Sequence, residues 1–324
     1  MSPGRILVTG AGGFVGARLL PVLRRAFPRA RLVAGSRRGE APAGWDAGAT
    51  MELADADGLA AALEAERPEG LIHLAAQANV PASFADPAGT WAVNALGTVN
   101  LVGAVMKAAP ECRCLFVSTA EVYGLSFQAG QPLPEDAPLR PANPYAASKA
   151  AAEMAVAESA LRGLRALRPR PFNQVGAGQT AAFVLPAFAR QVARIEAGLQ
   201  PPAMETGALD RWRDFLSVDD VCRAYALLLR HFDALPNGAP VNISSGNPRR
   251  VGDALAALVA MAGRPIEIHT DPGRLRPTDV ERTVGDATRA REALGWQPEV
   301  PFEAVLSEVL EDWRARVRRD GEKA

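Results

Sequence analysis

The chain has 324 residues, 48% of them hydrophobic, which is enough for about two domains with a sizeable buried core. Its 36 basic and 36 acidic residues cancel, so no net charge draws it to nucleic acid or to a membrane, and we expect neither as a partner. Three cysteines without paired C-x-x-C spacing argue against a disulfide framework or a zinc site, and the lack of a signal-peptide pattern or of an apolar run of ~18 residues predicts a cytoplasmic protein.

Short apolar runs alternate with alanine- and leucine-rich stretches through the first half of the chain, a pattern typical of βαβ units. The predicted strands are Arg5–Thr9, Arg31–Gly35, Gly70–Ala75, Arg113–Ser118 and Leu164–Arg168. The predicted helices between them are Gly13–Arg25, Asp55–Glu66, Pro87–Ala109 and Tyr145–Leu161. Parallel strands joined by right-handed helical crossovers predict an α/β fold built on a doubly wound, Rossmann-type parallel sheet.

Proline and glycine become frequent after Arg170, where the regular alternation is lost. This change predicts a smaller C-terminal α/β domain whose loops contact a ligand. A further helix is predicted at Val218–Arg230, with Ser217 as its N-cap, and is expected to return to the first domain. We therefore expect a dinucleotide-binding domain at 1–170 plus about 216–240, and a substrate-binding domain at 171–215 and 241–315.

Gly10, Gly13 and Gly16 stand at the turn from the first predicted strand into the first predicted helix. Backbone N–H groups at such a turn can approach a pyrophosphate at the positive end of a helix. These glycines, with Phe14 and Val15 between them, therefore predict a dinucleotide site. A tight turn that binds nothing is the alternative.

The choice between the two nicotinamide dinucleotides depends on the end of the second strand. An acidic residue there would bind a 2′-hydroxyl, whereas this chain has Ser36, Arg37 and Arg38. Two guanidiniums and a hydroxyl suit a 2′-phosphate, so NADP(H) is preferred and NAD(H) stays possible. The alternative is that these arginines are solvated loop charges.

Tyr145 and Lys149 are four residues apart and therefore share one face of a predicted helix. Tyrosine and lysine are so scarce in this chain, with three of each, that chance predicts only about 0.03 such pairs. A neighbouring ammonium lowers the pKa of a phenol toward the working range of an acid–base catalyst. A hydroxyl partner is expected at the end of the strand Arg113–Ser118, and the stretch 117–124 contains candidates in Ser118 and Thr119. The alternative is an exposed helix with two amphipathic side chains.

Three motifs together resemble the extended short-chain dehydrogenases/reductases that act on nucleotide sugars. They are the G-x-x-G-x-x-G turn, the Tyr-x-x-x-Lys pair and Thr119-Ala120-Glu121-Val122-Tyr123-Gly124. The resemblance implies that Thr119 binds the sugar C4 oxygen. It also implies that Tyr145 and Lys149 take part in the reaction and contact the cofactor, and that Asn94 supports the structure of the site. It also implies cofactor contacts at the adenine and at the nicotinamide ribose by Glu52, Leu53, Leu74, Ala75, Ala76 and Gln77.

Glu121 bears on the type of reaction. In the 4,6-dehydratases of this family the glutamate at this place removes the C5 proton so that water can leave from C6, whereas a ketoreductase needs no such base. Dehydration therefore stays open beside reduction.

The second half of the chain is similar to GDP-sugar members of the family in the stretches 170–179, 213–221 and 274–280. Arg213 and Arg276 suit a substrate diphosphate, Asp279 suits ribose hydroxyls, and Asn173 suits a phosphate or sugar oxygen. For each residue alone, an ordinary loop salt bridge or turn asparagine is the alternative.

The resemblance implies NADPH-dependent reduction of the C4 ketone of GDP-4-keto-6-deoxy-D-mannose to GDP-D-rhamnose, because segment 39–50 is short where the dehydratases carry arginine-rich sequence. The alternatives are 4,6-dehydration of GDP-mannose, C4 epimerisation of another nucleotide sugar, and a non-catalytic dinucleotide-binding sensor. The resemblance further implies a homodimer in which helices Pro87–Ala109 and Tyr145–Leu161 of each subunit form a four-helix bundle. His73, His231 and His269 form no cluster, so no metal is expected.

Overall fold

The computed structural model describes residues 3–274 and 280–321. The strands in this part of the chain are β1 (Arg5–Thr9), β2 (Arg31–Ser36), β3 (Ala47–Thr50), β4 (Gly70–His73), β5 (Arg113–Phe116), β6 (Ala166–Pro171), β7 (Asn173–Val175), β8 (Ala203–Thr206), β9 (Trp212–Arg213), β10 (Phe215–Ser217), β11 (Pro240–Ile243), β12 (Arg249–Arg250) and β13 (Glu267–Thr270).

The α-helices are α1 (Phe14–Ala26), α2 (Ala56–Glu66), α3 (Val80–Ala85), α4 (Pro87–Trp91), α5 (Gly97–Ala108), α6 (Pro144–Leu161), α7 (Val184–Glu196), α8 (Val218–Arg230), α9 (Val251–Met261), α10 (Thr288–Leu294) and α11 (Phe302–Gly321). Among the residues described, no helix is both long enough and apolar enough to cross a membrane.

Seven parallel strands form the main sheet in the order β11-β6-β5-β4-β1-β2-β3. The chain runs outward from β1 through β2 to β3, and then restarts at β4 on the other side of β1. The loops that leave β1 and β4 therefore diverge at the carboxyl ends of these strands and open a crevice, which is where open α/β sheets bind ligands. The predicted α/β fold with a doubly wound, Rossmann-type sheet is confirmed.

Side chains are buried on both faces of this sheet, because successive residues of a strand point to opposite sides. On β1, Ile6 and Val8 belong to the apolar cluster that includes α1 and α8, while Leu7 belongs to the cluster that includes α2 and α5. Helices on both faces thus hold the carboxyl ends of β1, β4 and β5 in fixed positions. The loops that follow these strands carry the predicted site.

The predicted elements of the first half agree with the structure. β1 has the predicted bounds, and so does α8, where the Ser217 hydroxyl caps the helix by accepting from the Asp219 N–H. β3 was not among the predicted strands, since Ala-Gly-Ala-Thr lacks the run of large apolar residues by which strands were recognised. The predicted helix Pro87–Ala109 is one continuous stretch of α4, a π-helical turn at Ala92–Leu96, and α5.

A third apolar cluster lies apart from the main sheet and joins α7, α9 and α11. Its members include Leu185, Phe188, Val192, Leu255, Leu258, Leu306 and Val309. Arg18 on α1 pairs with Asp219 on α8 and with Glu308 on α11, which links this cluster to the main sheet. The boundaries of the two expected domains stay a prediction.

Candidate active site

The turn between β1 and α1 leaves space beside its backbone. Gly10 has a φ of 70°, and a Cβ at this position would lie 2.9 Å from the backbone nitrogen of Ala75. Gly13 is the N-cap of α1 and makes no side-chain cap hydrogen bond, so no side chain covers the first N–H groups of the helix. The positive end of α1 thus faces an open cradle of glycines, which fits the pyrophosphate of a dinucleotide.

Phe14 and Val15 form the first turn of α1, and Gly16 follows them. A Cβ at Gly16 would collide with the carbonyl oxygen of Ala11. The helix therefore lies so close to the turn that only glycine fits at this position. The Phe14 ring lies 3.6 Å from where a Cβ would stand at Gly178. The predicted phosphate turn therefore touches the loop after β7.

Ser36, Arg37 and Arg38 stand together at the carboxyl end of β2. The Ser36 hydroxyl donates to the carbonyl oxygen of Glu40 at 3.2 Å. Both arginines are exposed, and within the described part of the chain neither makes a hydrogen bond or an ion pair. Their guanidiniums are therefore free to bind a phosphate at this edge of the sheet.

The other predicted cofactor contacts line the same crevice. Leu53 is buried and Glu52 is half-buried just after β3, and residues 74–77 are half-buried just after β4. Thr9 holds the second segment, since its carbonyl oxygen accepts from the Leu74 N–H and its hydroxyl accepts from the Ala75 N–H, each at 3.2 Å. Ala75 and Ala76 present only methyl groups, which lets a ligand approach the backbone there.

Asn94, in the π-helical turn, connects the segment after β4 to α6. Its side-chain oxygen accepts from the Gln77 N–H at 2.8 Å, and its amide nitrogen donates to the Gln77 carbonyl and to the Ser148 hydroxyl, each at 3.0 Å. The Ser148 hydroxyl in turn donates to the carbonyl oxygen of Tyr145 at 2.7 Å. These contacts agree with a structural role for Asn94.

His73, at the end of β4, makes a second buried bridge. Its Nδ1 lies 2.7 Å from the Thr9 hydroxyl and its Nε2 lies 3.3 Å from the Thr98 hydroxyl. Burial lowers the pKa of His73 to about 3, helped by the positive charge of Lys149, so the imidazole is neutral at physiological pH. Within residues 3–274 and 280–321, no group of three or more His, Cys, Asp or Glu residues could hold a metal ion.

Thr119, Glu121 and Tyr145 meet at the carboxyl end of β5. The Thr119 hydroxyl lies close enough to the Tyr145 phenol to lower its pKa, and it accepts from the Glu121 N–H at 3.2 Å. The Glu121 carboxylate accepts from the side-chain amide of Asn143 at 3.2 Å. Asn143 is itself held in place, because it caps α6 by accepting from the Ala146 N–H at 2.8 Å.

Tyr145 keeps its proton at neutral pH. Burial raises the pKa of Tyr145 to about 12; the hydrogen bond with Thr119 opposes this rise, and the negative charge of Glu121 adds to it. Lys149 is not among these influences, so the lowering effect expected of its ammonium stays a prediction. A protonated phenol beside a threonine hydroxyl is suited to donate a proton to a substrate oxygen.

Lys149 lies one helical turn beyond Tyr145 and is buried, with 6% of its surface exposed. Its ammonium donates to the carbonyl oxygen of Val117 at 2.6 Å. Burial lowers the pKa of Lys149 to about 8, and the negative charge of Glu153 limits the fall. The side chain is thus a buried cation just below the crevice.

Of the four substrate contacts predicted in the second half of the chain, Asn173 and Arg213 lie on neighbouring segments. The Asn173 N–H, at the start of β7, donates at 3.0 Å to the carbonyl of Asp214, the residue after Arg213. The Arg213 guanidinium donates to the carbonyl oxygens of Trp212 and Val280, each at 2.9 Å. Arg276 and Asp279 lie outside the described residues.

Three buried or half-buried polar residues near the site were not among the predicted site residues: Asn143, Glu153 and Asp214. Asn143 carried a signal, because an asparagine followed by proline is typical of a helix start. Asp214 is fully buried and accepts hydrogen bonds from the backbone N–H groups of Ser245 and Gly246, at 2.8 and 3.0 Å. Its partners are about thirty residues away in the sequence, so no local pattern indicated them.

The model of the family described as GDP-mannose 4,6 dehydratase matches residues 7–309. The chain belongs to this family. It is 38% identical, over 98% of its own length and 99% of the relative's, to GDP-6-deoxy-D-mannose reductase of Pseudomonas aeruginosa. It is 30% identical, over 90% of its own length and 91% of the relative's, to GDP-6-deoxy-D-talose 4-dehydrogenase of Aggregatibacter actinomycetemcomitans.

Two solved structures support this family assignment. A structure of RMD from Pseudomonas aeruginosa complexed with NADPH has a TM-score of 0.84 and 36% identity, covering 97% of this chain and 99% of that one. The Thermus thermophilus UDP-glucose 4-epimerase in complex with NAD has a TM-score of 0.82 and 30% identity, covering 96% and 99%. Membership of the extended short-chain dehydrogenases/reductases, expected from the motifs, is confirmed, and so is the predicted enzyme class of NAD(P)-dependent oxidoreductase.

Proposed function

We propose that this protein reduces the C4 ketone of GDP-4-keto-6-deoxy-D-mannose with NADPH and forms GDP-D-rhamnose. The observation that carries the proposal is that Thr119 and Tyr145 lie together at the carboxyl end of β5, in the same sheet as the glycine turn at Gly10. The near full-length similarity to a GDP-6-deoxy-D-mannose reductase supports the choice of substrate. GDP-sugar binding by Asn173, Arg213, Arg276 and Asp279 is part of the proposal.

In the proposed mechanism the residues of this chain handle the proton and the developing charge. When bound, the dinucleotide supplies the hydride that C4 accepts. Tyr145, protonated at neutral pH, gives its proton to the C4 oxygen, while the Thr119 hydroxyl holds the same oxygen in place. Lys149, charged below its pKa of about 8, stabilises the phenolate that remains.

The experiment that tests the proposal uses two incubations. One contains the protein, GDP-4-keto-6-deoxy-D-mannose and NADPH, and the other contains the protein, GDP-mannose and NADP+. The absorbance of reduced nicotinamide and the product mass are followed in both. If the protein is a reductase, the absorbance falls in the first tube and the product there has gained two hydrogens relative to the substrate. No change in absorbance or mass in that tube would contradict the proposal.

The second candidate is 4,6-dehydration, and the position of Glu121 favours it. The carboxylate lies close enough to Tyr145 to raise the pKa of that phenol, and Asn143 orients it. A carboxylate in this place is suited to remove a proton from the carbon next to the ketone. Loss of water from GDP-mannose in the second tube, with the absorbance unchanged, would support this reaction instead.

NADPH is the proposed cofactor because Arg37 and Arg38 stand free at the end of β2. The double variant R37A/R38A is expected to bind NADPH at least about tenfold more weakly and NADH almost as before, since each lost guanidinium removes a charge-assisted hydrogen bond to the 2′-phosphate. Fluorescence titration of both dinucleotides measures the effect. The matched control is R318A/R319A, which removes two exposed arginines from the end of α11. Equal losses for NADPH and NADH would contradict this assignment.

We also propose that the protein is a homodimer, joined by α4, α5 and α6 of each subunit. Large apolar side chains are exposed on these helices and on the π-helical turn between α4 and α5: Trp91, Leu96, Val99, Met154 and Leu161. On α6, Met154 is 66% exposed and Leu161 is 90% exposed. A run of exposed apolar residues on adjacent helices is typical of a protein–protein interface.

The variant M154E/L161E is expected to convert the dimer to a monomer, because it places two charges in the middle of an apolar contact. Sedimentation velocity at micromolar concentration measures the change. Leu199→Glu is the control, since Leu199 is 49% exposed but lies after α7, outside the proposed interface. A monomeric wild-type protein would contradict the proposal.

A further inference from the structure

Helix α6 places a carboxylate and an ammonium along the end of β5. Lys149 and Glu153 are four residues apart on one face of the helix. The Lys149 ammonium donates to the Val117 carbonyl at 2.6 Å, and the hydroxyl of the next residue, Ser118, donates to the Glu153 carboxylate at 2.6 Å. Two consecutive residues after β5 therefore connect Lys149 to Glu153, and Thr119 follows them directly.

Glu153 is almost completely buried, with 1% of its side chain exposed. Two guanidiniums from β6 compensate its charge. Arg170 donates from Nε at 2.9 Å and also from Nη2, and Arg168 lies 3.2 Å away. The carboxylate is thus held from one side by β6 and from the other by Ser118, with no rotational freedom left.

Among the described residues, Glu153 is the charged group that acts on the pKa of Lys149. From β4, His73 faces it as a neutral imidazole, and from β5 it meets only the Val117 carbonyl. From its own helix it faces the neutral phenol of Tyr145 and the carboxylate of Glu153, and the guanidiniums of β6 lie beyond that carboxylate. Glu153 is therefore the nearby anion that stabilises the buried ammonium, and its effect on the pKa of Lys149 is upward.

We propose that Glu153 is a positioning residue, which keeps the Lys149 ammonium charged and fixes the segment Val117–Thr119 beside it. Glu153 acts through Lys149 and Ser118, since its carboxylate is buried and is bound by Ser118, Arg168 and Arg170. The catalytic meaning of this role rests on the proposed function, in which a charged Lys149 supports the proton transfer from Tyr145. The effect of Glu153 on the charge of Lys149 does not depend on any substrate.

The small number of lysines makes a direct test possible. The chain has only Lys107, Lys149 and Lys323, so NMR of protein labelled at the lysine side chains yields three signals to titrate. Lys107 is exposed on α5, whereas Lys149 is buried, so the Lys149 signal is the one to follow. The signal that is missing from the spectrum of the Lys149→Met variant is the signal of Lys149.

Glu153→Gln is expected to lower the pKa of Lys149 by about 1 unit or more, because the ammonium loses its neighbouring anion while its burial is unchanged. If reduction occurs, the alkaline fall of kcat moves to lower pH by the same amount, and KM for NADPH at pH 6.5 changes little. Glu158→Gln is the matched control. It makes the same substitution on α6 at an exposed site paired with Arg162, and the pKa of Lys149 should not move.

Glu153→Gln leaves Arg170 buried without its partner, so the double variant E153Q/R170M provides a second test if the single variant does not fold. It removes both charges, and a smaller fall in the pKa of Lys149 is expected, because the lost guanidinium lies beyond the lost carboxylate and offsets only part of its effect. An unchanged pKa of Lys149 in whichever variant folds would overturn the proposal. A shifted pKa in a protein that does not reduce the 4-keto sugar would instead contradict the proposed function and leave the electrostatic role of Glu153 intact.

Discussion

Tyr145→Phe is expected to lower kcat for the reduction by about 10²- to 10⁴-fold, the contribution typical of a positioned proton donor. The substitution removes the hydroxyl that lies beside Thr119 and leaves the ring in place, so NADPH binding should change little. Stopped-flow measurement of the reduced-nicotinamide absorbance with saturating keto sugar gives kcat, and fluorescence titration gives the affinity for NADPH. A variant that keeps more than about a tenth of the wild-type kcat would show that another group donates the proton.

Tyr225→Phe is the matched control for this variant. Tyr225 is fully buried on α8, and its hydroxyl has no hydrogen-bond partner among the described residues. Removing that hydroxyl should not reduce activity, and it relieves an unpaired buried polar group. The two tyrosine variants differ only in which phenol is lost.

The pH dependence of the wild-type enzyme follows from the same site. With a pKa of about 12, Tyr145 stays protonated over the whole physiological range. Lys149 has a pKa of about 8, so its charge is present below pH 8 and is lost as the pH rises through that value. Activity should therefore fall on the alkaline side near pH 8 rather than near pH 12.

Arg170→Met is expected to destabilise the fold by about 3–5 kcal/mol, because it leaves the buried carboxylate of Glu153 without its main counter-ion. Arg170 also donates to the Tyr123 hydroxyl at 2.7 Å and to the Glu135 carbonyl at 2.8 Å, and its guanidinium stacks 4.9 Å above the Tyr123 ring. Urea unfolding at pH 7 measures the loss. A loss below about 1 kcal/mol would mean that Arg168 alone compensates the charge of Glu153.

Arg162→Met is the control for the stability measurement. Arg162 pairs with Glu158 on the exposed side of α6, where water screens both charges, so its removal should change the free energy of unfolding far less than removal of Arg170. The double variant E153Q/R170M should recover part of the stability lost in R170M, since the buried carboxylate is removed together with its main counter-ion.

Several features of the site were predictable from short stretches of sequence. The glycine turn, the Tyr145–Lys149 spacing and the end of β2 are each contained within a few residues, and their chemistry follows from the local backbone. The structure brings the Gly10 turn and residues 74–77 to one crevice, because β1 and β4 are neighbours and their carboxyl ends lie at the same edge. Thr119 was also expected beside Tyr145, and its hydroxyl lies close enough to lower the pKa of that phenol.

Arg170 shows the limit of such reasoning. It belongs to a stretch that resembles GDP-sugar enzymes but was given no role of its own, and the structure buries it in an ion pair with Glu153. Glu153 had no sequence signal, since a single glutamate on an alanine-rich helix is usually solvated. Its partners Ser118 and Arg170 are 35 and 17 residues away, so only packing of α6 against β5 and β6 brings them together.

The amino-acid sequence by itself determined the strand–helix alternation and the glycine turn after β1, and it predicted Tyr145 and Lys149 as the acid–base pair, because hydrophobic period, glycine and side-chain spacing act over a few residues. Only the tertiary structure decided which charges are buried together and how strongly they are compensated. Burial and the distance between charges set the pKa of Lys149, and both depend on segments that are far apart in the chain.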